Sequence, residues 1–516
     1  MRRRTIEPGA VLRVACFGAA LAFLDATIVN VAFPDIRASF PDASLSGISW
    51  VLNAYNIVFA AFLLPAGRIA DLLGRKRLFE WGIWLFVVAS VLCAAAPTVE
   101  LLIAARAVQA LGAAVLVPAS LALVLQAFPG PRRTHGVAMW SAMAALAAGL
   151  GPGLGGILVE LEGWRLVFLV NVPLGALALL LARRTLVESR APGKRTVPDL
   201  IGATELAVAT ALFTLGVVQG DTWGWDSPAT WGCMAAGIAL GAVFLARCRW
   251  HRAPMVDLAL LRIRSVSVMN LLTLIGAAGF YSYVLCNVLF LTSVWGYSVL
   301  EAGLAITPGP FIAAAVARPA SAVAARVGAR WVIAVGAVIW AAGVYWLITR
   351  IGLTPDFVGE WLPVMFILGV GAGICFPVVG GAAVAEIPGG RFATGTGLNS
   401  VARQLGAVLG IALLVAIVGR PEPSEVAGAF DRGWTFALGC FALVALIAPF
   451  AGRIVPAQDD DEAPEPAILT APIVVRGRPR RTGRLKPARD RHDPGRRRRH
   501  PRGVRHALGS LRRRRA

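Results

Sequence analysis

Residues 65–77 read Pro65-Ala66-Gly67-Arg68-Ile69-Ala70-Asp71-Leu72-Leu73-Gly74-Arg75-Lys76-Arg77. Long apolar runs flank this stretch, so it reads as a short loop at a membrane surface. It gathers Arg68, Arg75, Lys76 and Arg77 around a single acid, Asp71, and two glycines. A weakened copy stands 254 positions downstream, from Pro65 to Pro319: Pro319-Ala320-Ser321-Ala322-Val323-Ala324-Ala325-Arg326-Val327-Gly328-Ala329-Arg330-Trp331. Pro65, Gly74 and Gly82 match Pro319, Gly328 and Gly336, while Asp71 becomes Ala325. The copy keeps the backbone residues and loses the charge.

The totals agree with a membrane setting. The chain has 516 residues, is 57% hydrophobic and only 15% charged, and has a mean hydropathy of +0.69. A soluble protein carries about a quarter charged residues. Runs of about 20 apolar residues recur along most of the length, the mark of membrane-spanning helices. The formal net charge of +21 does not indicate a nucleic-acid partner. From Arg453 onward 19 Lys and Arg stand against 7 Asp and Glu, and the rest of the excess lies in alternate loops rather than on one basic face. The N-terminal Met1-Arg2-Arg3-Arg4 precedes an apolar run holding Asp25, Asn30 and Pro34 without a small-residue cleavage site, so it reads as a retained first span. Seven cysteines (16, 93, 233, 248, 286, 375, 440) lie in or beside apolar segments at no metal-ligand spacing. There is no phosphate-binding glycine loop, zinc helix or nucleophile elbow. No enzymatic activity, catalytic residue, metal site or cofactor is expected.

Spans are predicted near 11–33, 46–66, 78–96, 100–126, 136–160, 164–182, 200–218, 229–247, 268–293, 302–324, 331–349, 361–383, 396–418 and 432–451. One set of loops holds Arg75, Lys76, Arg77, Arg132, Arg133, Arg183, Arg184, Arg247 and Arg249; the other holds Arg37, Arg165 and Arg350 beside Asp42, Asp226, Glu301 and Asp356. Basic loops stay in the cytoplasm, which predicts cytoplasmic N- and C-termini in a multi-pass plasma-membrane protein. The internal copy extends further: Gly112, Pro118, Arg132 and Gly136 match Gly371, Pro377, Arg391 and Gly395, each 259 positions on. The expected organisation is therefore a six-helix half at 10–182, inserted spans 7 and 8 with their linkers at 183–267, and a second six-helix half at 268–451. A disordered basic tail follows at 452–516, solvated or touching lipid headgroups. Two related half-bundles rocking about a midplane site is transporter logic.

Several intramembrane residues carry chemistry. Asp25 in span 1 is costly if ionised and unpaired, so it is expected to face a cavity or to be protonated part of the time; the alternative is a structural hydrogen bond. In span 4, Arg106 and Gln109 share one helix face. Arg106 cannot lose its proton and must find an acceptor, unless it lies near enough to the interface to snorkel. Gly149-Leu150-Gly151-Pro152-Gly153-Leu154-Gly155-Gly156 in span 5 combines a missing backbone donor with room for close helix approach. Asn30, Gln109, Tyr283, Asn287, Arg403 and Gln404 are candidates to line a cavity. Trp164 and Arg165 suit an anchor at the outer interface.

The loop at Gly67, Asp71, Gly74, Arg75 and Lys76 resembles the Gly-x-x-x-Asp-x-x-Gly-Arg-Lys/Arg signature between spans 2 and 3 of the major facilitator superfamily. The stretch Leu24 to Pro34, Arg106-x-x-Gln109-Ala110 (Ala110 where that family has Gly), the Gly-Pro run, Trp164-Arg165-x-x-Phe168-x-x-Asn171-x-Pro173 and Gly397 to Gly406 are similar to motifs of its fourteen-span drug:proton antiporters. The resemblance covers nearly all of residues 10–451. It implies an all-α bundle of fourteen spans that exports small amphipathic compounds, drugs or antibiotics, in exchange for protons. It assigns proton coupling to Asp25 and Arg106, a conformational latch to Gly67, Asp71, Gly74 and Arg75, and an antiporter hinge to Gly151, Pro152, Gly155 and Gly156. The implied partners are a small-molecule substrate, protons and membrane lipids, with the chain acting as a monomer. Two other readings are an exporter of one metabolite, such as a self-made antibiotic, and a membrane sensor or scaffold that no longer transports.

Overall fold

A computed structural model of the chain describes residues 7–128, 133–189, 199–251, 254–387, 392–419 and 425–454. Arg132, Arg391 and the tail expected to be disordered lie outside the described residues, apart from residues 452–454. Within the described residues all regular structure is helical. The first group is α1 (Pro8–Ser39), α2 (Leu45–Leu73), α3 (Arg75–Ala95), α4 (Val99–Ala127), α5 (Arg133–Glu162), α6 (Trp164–Leu169) and α7 (Asn171–Thr185). Next come α8 (Leu200–Trp223) and α9 (Pro228–Trp250). The last group is α10 (Arg264–Ser293), α11 (Val299–Ile306), α12 (Pro308–Val327), α13 (Ala329–Arg350), α14 (Leu362–Ala385), α15 (Phe392–Val418) and α16 (Val426–Ile447).

Thirteen helical segments among the described residues are long and apolar enough to cross a membrane, with α6–α7 and α11–α12 each forming one. Counting the 30-residue α5 gives fourteen. Several helices overrun the predicted spans. The first starts at Pro8 and continues through Pro34 to Ser39, and the last starts at Val426 rather than 432. Hydropathy marks where a helix is buried in hydrocarbon, whereas polar end residues are set by capping. Ser44 accepts from Gly47 N at 3.0 Å, and Ser298 and Glu301 form a capping box that starts α11. The outer face of α3 carries exposed Trp81 and Trp84, apolar surface of the kind that lipid covers.

Positions 254 or 259 apart share local geometry. The turns that end α2 and α12 are made by Gly74 (φ 125°) and Gly328 (φ 102°), a left-handed conformation that an L side chain rarely adopts. Further on, α3 and α4 cross so closely that a Cβ on Gly82 would sit 2.9 Å from Leu116 N, and one on Gly112 would sit 2.6 Å from Phe86 N. The crossing of α13 and α14 repeats this: Gly336 would meet Cys375 N at 3.0 Å and Gly371 would meet Trp340 N at 2.6 Å. Each residue of the first crossing has its counterpart in the second. Lipid supplies no hydrophobic drive between helices, so such backbone approach provides the packing.

The two groups touch along two main seams, and α1 also packs against α10 and α11 between them. On one, α5 packs against α11 and α12; on the other, α2 packs against α15. Helix α8 packs against both α2 and α15. A cluster of Phe244, Met255, Val256, Leu260, Leu398 and Val401, with Phe62 and Leu64 against it, joins the central pair to both groups. Asp199 starts α8 by accepting from Gly202 N at 2.9 Å, and it takes two further donors from Arg247 of α9 at 2.9–3.0 Å. Burial works against its charged form, but these hydrogen bonds outweigh that and hold the carboxyl below the usual carboxylate range.

Candidate functional site

Asp25, on α1, is 1% exposed and is held by side chains of two other helices. Arg106 of α4 donates from Nη1 to Asp25 Oδ2 at 2.5 Å. One turn along the same face, Gln109 donates from Nε2 to Asp25 Oδ1 at 2.9 Å and accepts from Arg106 Nη1 at 2.5 Å. Asn171, at the start of α7, donates from Nδ2 to Asp25 Oδ1 at 3.0 Å. Ser90 of α3 completes the network, its hydroxyl oxygen accepting from Gln109 at 2.8 Å and from Asn171 at 3.3 Å. The Arg106 Nε donates to the Val51 carbonyl of α2 at 3.3 Å, and the guanidinium lies 4.1 Å from the Tyr55 ring centroid.

Arg106 is 1% exposed, which removes the snorkelling alternative. Asp25 does not face open solvent here; its charge is balanced by Arg106 and both its oxygens are hydrogen-bonded. A buried pair survives only when its remaining donors and acceptors are met in this way. Asn171 and Ser90 are members that the sequence reading left without a function. Asn171 stood inside the quoted Trp164-to-Pro173 motif, and an amide in an apolar span was signal enough to flag it. Nothing around Ser90 distinguishes it from the many membrane serines that bond their own helix, as it also does to Phe86 O at 2.8 Å. Trp164, expected at an outer interface, is 1% exposed. Its backbone N–H and indole Nε1 donate to Asp35 and Ser39 at 2.8 and 2.9 Å, so it clamps the end of α1 from inside the protein.

The signature turn is tied within the first group. Arg75 Nη2 and Nε lie 2.8 and 2.9 Å from Asp71 Oδ1, and Arg75 Nη1 reaches the Ala122 carbonyl of α4 at 3.4 Å. Glu188, beyond α7, accepts from the backbone N–H groups of Lys76 and Arg77 at 3.2 and 3.0 Å. It thereby satisfies two of the free donors at the start of α3, while Arg75 N–H donates to the Ser189 carbonyl at 2.9 Å. A Cβ on Gly74 would sit 2.5 Å from its Oε1. Gly67 faces Pro118 at 3.4 Å. Nothing in the signature stretch points to Glu188, which lies 112 residues beyond Lys76.

The Gly-Pro run of α5 is a contact plate with two sides. Gly151 meets Thr27 of α1, and a Cβ on Gly155 would lie 3.2 Å from Ile28 O. On the other side, Gly156 would meet Leu300 Cα of α11 at 2.8 Å, and Gly303 rests on the Pro152 carbonyl. These glycines let α11 of the second group approach α5 at the end of the bundle opposite the signature turn.

Apart from Gln109, which belongs to the Asp25 network, and Asn30, which bonds its own helix, the cavity candidates separate into two places. Gln404 of α15 donates to Asn56 Oδ1 of α2 at 3.1 Å, across the seam between the groups. Its neighbour Arg403 is half-buried, with a buried Nε that has no acceptor. Asn30 donates to Ala26 O at 2.8 Å and leaves its Oδ1 unmet. Tyr283 and Asn287 turn away from the seam. Tyr283 packs edge-on against Trp340 of α13 at 5.0 Å and points at Met365 Sδ of α14 at 3.7 Å. Asn287 accepts from Trp434 Nε1 of α16 at 2.9 Å. The expectation that they line a cavity is corrected: both lie on the side of α10 that faces the interior of the second group.

The comparisons with known proteins agree with this geometry. The family model described as Major Facilitator Superfamily matches residues 15–280 and 269–516. Multidrug resistance protein Stp of Mycobacterium tuberculosis is 34% identical over 404 residues, covering 78% of this chain and 74% of Stp. Cephamycin export protein CmcT of Amycolatopsis lactamdurans is 32% identical, covering 86% of this chain and 93% of CmcT. The methylenomycin A resistance protein of Streptomyces coelicolor is 32% identical, covering 81% and 87%. Among solved structures, a peptide transporter POT bound to sulfate superposes with a TM-score of 0.64 at 16% identity over 88% of this chain and 97% of the transporter, a likeness of fold. The chain is a multi-pass membrane transporter and belongs to the Major Facilitator Superfamily.

Proposed function

We propose that the protein exports small amphipathic compounds, drugs or antibiotics, in exchange for protons. The single observation that carries this reading is the buried Asp25–Arg106 pair, an ionisable intramembrane site in a chain whose relatives include proteins named for drug resistance and antibiotic export. With Asp25 ionised, Arg106, Gln109 and Asn171 gather α1, α4 and α7 around it. A proton on Asp25 cancels its attraction for Arg106, so α1 and α4 are free to shift against each other. The contact plate of α5 touches α1 on one side and α11 on the other, which lets such a shift reach the seam between the groups. The proton gradient then supplies the energy and no cofactor is required.

The basic loops support a plasma-membrane orientation with both termini cytoplasmic, and a lipid-surrounded monomer of two related halves, 10–182 and 268–451, is sufficient for this cycle. Asp71 and Arg75 serve as the latch on the cytoplasmic side. The test is accumulation of fluorescent amphipathic compounds in inverted vesicles containing the full chain. Accumulation should follow an imposed proton gradient and collapse with a protonophore; insensitivity to the gradient overturns the coupling. A narrower reading, export of one metabolite, is favoured by the relatives named for a single antibiotic each. Resistance profiling separates the two, because a broad exporter protects against several unrelated compounds and a dedicated one against a single scaffold.

A further inference from the structure

The seam between α2 and α15 holds a charge that the Asp25 site does not use. Arg403 lies beside Gln404, whose amide bridges to Asn56 across the seam. On α15, the side that meets α10 carries Asn399, which donates to Thr273 at 2.7 Å, and Gly406, which rests on the Leu274 carbonyl. The side that meets α2 carries Gly397, against Leu64, and Gln404. At 100° per residue Arg403 falls between these two sides, so it looks into the angle between α10 and α2. No carboxylate among the described residues pairs with it, and its Nε is buried without an acceptor. Asn53 stands one turn from Asn56 on the α2 face that meets α15. It is fully buried, and neither its Nδ2 nor its Oδ1 has a partner.

A guanidinium keeps its charge at any pH the cell meets. Placing it unpaired among apolar helices is costly, and such residues in membrane proteins mark substrate or ion pathways. Asp25 is neutralised by Arg106 and Asp199 by Arg247, so neither leaves a surplus charge to balance Arg403. The fully buried Asn53 amide and the half-buried Arg403, whose Nε is buried without an acceptor, stand at one seam and fit a ligand that brings the acceptors itself. From this geometry we infer that Arg403 takes the carboxylate of an anionic amphipathic substrate, with Asn53 as a nearby second donor. This rests on the export reading and gives it a substrate class: acidic or zwitterionic compounds rather than dications. A carboxylate accepts from two N–H groups of a guanidinium at once, so Arg is better suited to this task than Lys.

The test uses dansyl-leucine and its uncharged analogue dansyl-leucinamide, with purified full-length protein for binding by dansyl fluorescence and with inverted vesicles for transport. The wild type should bind the carboxylate at least about tenfold more tightly than the amide, the size of one charge-assisted hydrogen bond. Arg403→Gln should bring that ratio close to one without weakening the amide, Arg403→Lys should keep part of it, and Asn53→Ala should reduce it less. A wild-type ratio near one, or an Arg403→Gln variant that binds both probes equally worse, overturns the inference in favour of a packing role. So does an unchanged ratio in Arg403→Gln accompanied by loss of co-purifying phospholipid, which would make a lipid phosphate the partner. The two readings fail separately. Arg403-dependent carboxylate selectivity without gradient-driven movement of either probe removes the export reading alone. Gradient-driven movement of the amide with no carboxylate preference removes this one alone.

Discussion

At the scale of single residues the decisive feature is how completely Asp25 is satisfied. Its two oxygens receive Arg106, Gln109 and Asn171 from two helices other than its own, so removing Arg106 leaves a buried charge without compensation. Arg106→Ala should therefore destabilise the protein by about 3–5 kcal/mol, read as a lowered thermal unfolding midpoint in detergent. Combining Arg106→Ala with Asp25→Ala should cost clearly less than the two single changes added together. Simple addition would mean that the pair is not coupled. Asn171→Ala should cost less, about 1–3 kcal/mol, because it strands a hydrogen bond rather than a charge. Asp25, Arg106 and Gln109 were legible in the sequence because polar groups in apolar spans are conspicuous and because three-residue spacing fixes a shared face. That Asp25 and Arg106 act together was implied only by the resemblance; the residues alone do not show their meeting, which depends on α1 and α4 crossing at one depth, a tertiary fact. Tyr283 and Asn287 show the same limit, since helical phase says which residues share a side but not which neighbour that side meets.

At the scale of elements, the close crossings and the helix ends give the clearest expectations. A Cβ on Gly112 or Gly371 would meet a backbone nitrogen at 2.6 Å, and backbone cannot step aside as a flexible side chain can. Gly371→Ala should therefore destabilise by about 1–3 kcal/mol. Gly380→Ala, on the same helix with nothing within 4 Å of its added Cβ, should be neutral or mildly stabilising. Equal effects in thermal unfolding would contradict the packing account. Glu188 caps α3 from a distance, so Glu188→Ala should speed amide hydrogen exchange at Lys76 and Arg77 and cost about 1 kcal/mol; unchanged exchange would count against the cap. Asp199 offers a pH-dependent case. Its carboxyl is held below the ordinary carboxylate range, so its clamp on α8 and α9 contributes fully above about pH 4 and is lost as pH falls through its folded value. Hydrogen exchange at the start of α8 should rise on acidification and lose that pH dependence in Asp199→Asn. The helices themselves were legible because hydropathy reports burial in hydrocarbon. Their ends were not, because capping residues such as Ser44 and Ser298 are polar and fall outside any apolar window.

At the scale of the whole molecule, the internal copy in the sequence becomes two matching crossings, α3 on α4 and α13 on α14, while chemistry is unequally divided. The first group carries the Asp25 network and the charged signature turn; in the second group Ala325 stands where Asp71 stands in the first. The glycines of α5 hold α11 close at the end away from that turn. Gly156→Leu should wedge this contact open, and a cysteine placed at Thr27 should then react faster with a membrane-impermeant maleimide than it does without the wedge. No change in labelling would mean that the plate does not close that end.

Proton-coupled export as proposed requires that the proton be exchanged at Asp25. The most direct measurement compares, in vesicles containing the full-length Asp25→Asn protein, gradient-driven accumulation of a transported fluorescent compound with its exchange when the same compound is on both sides and no gradient is applied. Exchange needs a folded, moving transporter but no net proton movement. Asp25→Asn should retain exchange and lose accumulation. Gradient-driven accumulation that persists in Asp25→Asn would contradict it and place the proton site elsewhere in the protein.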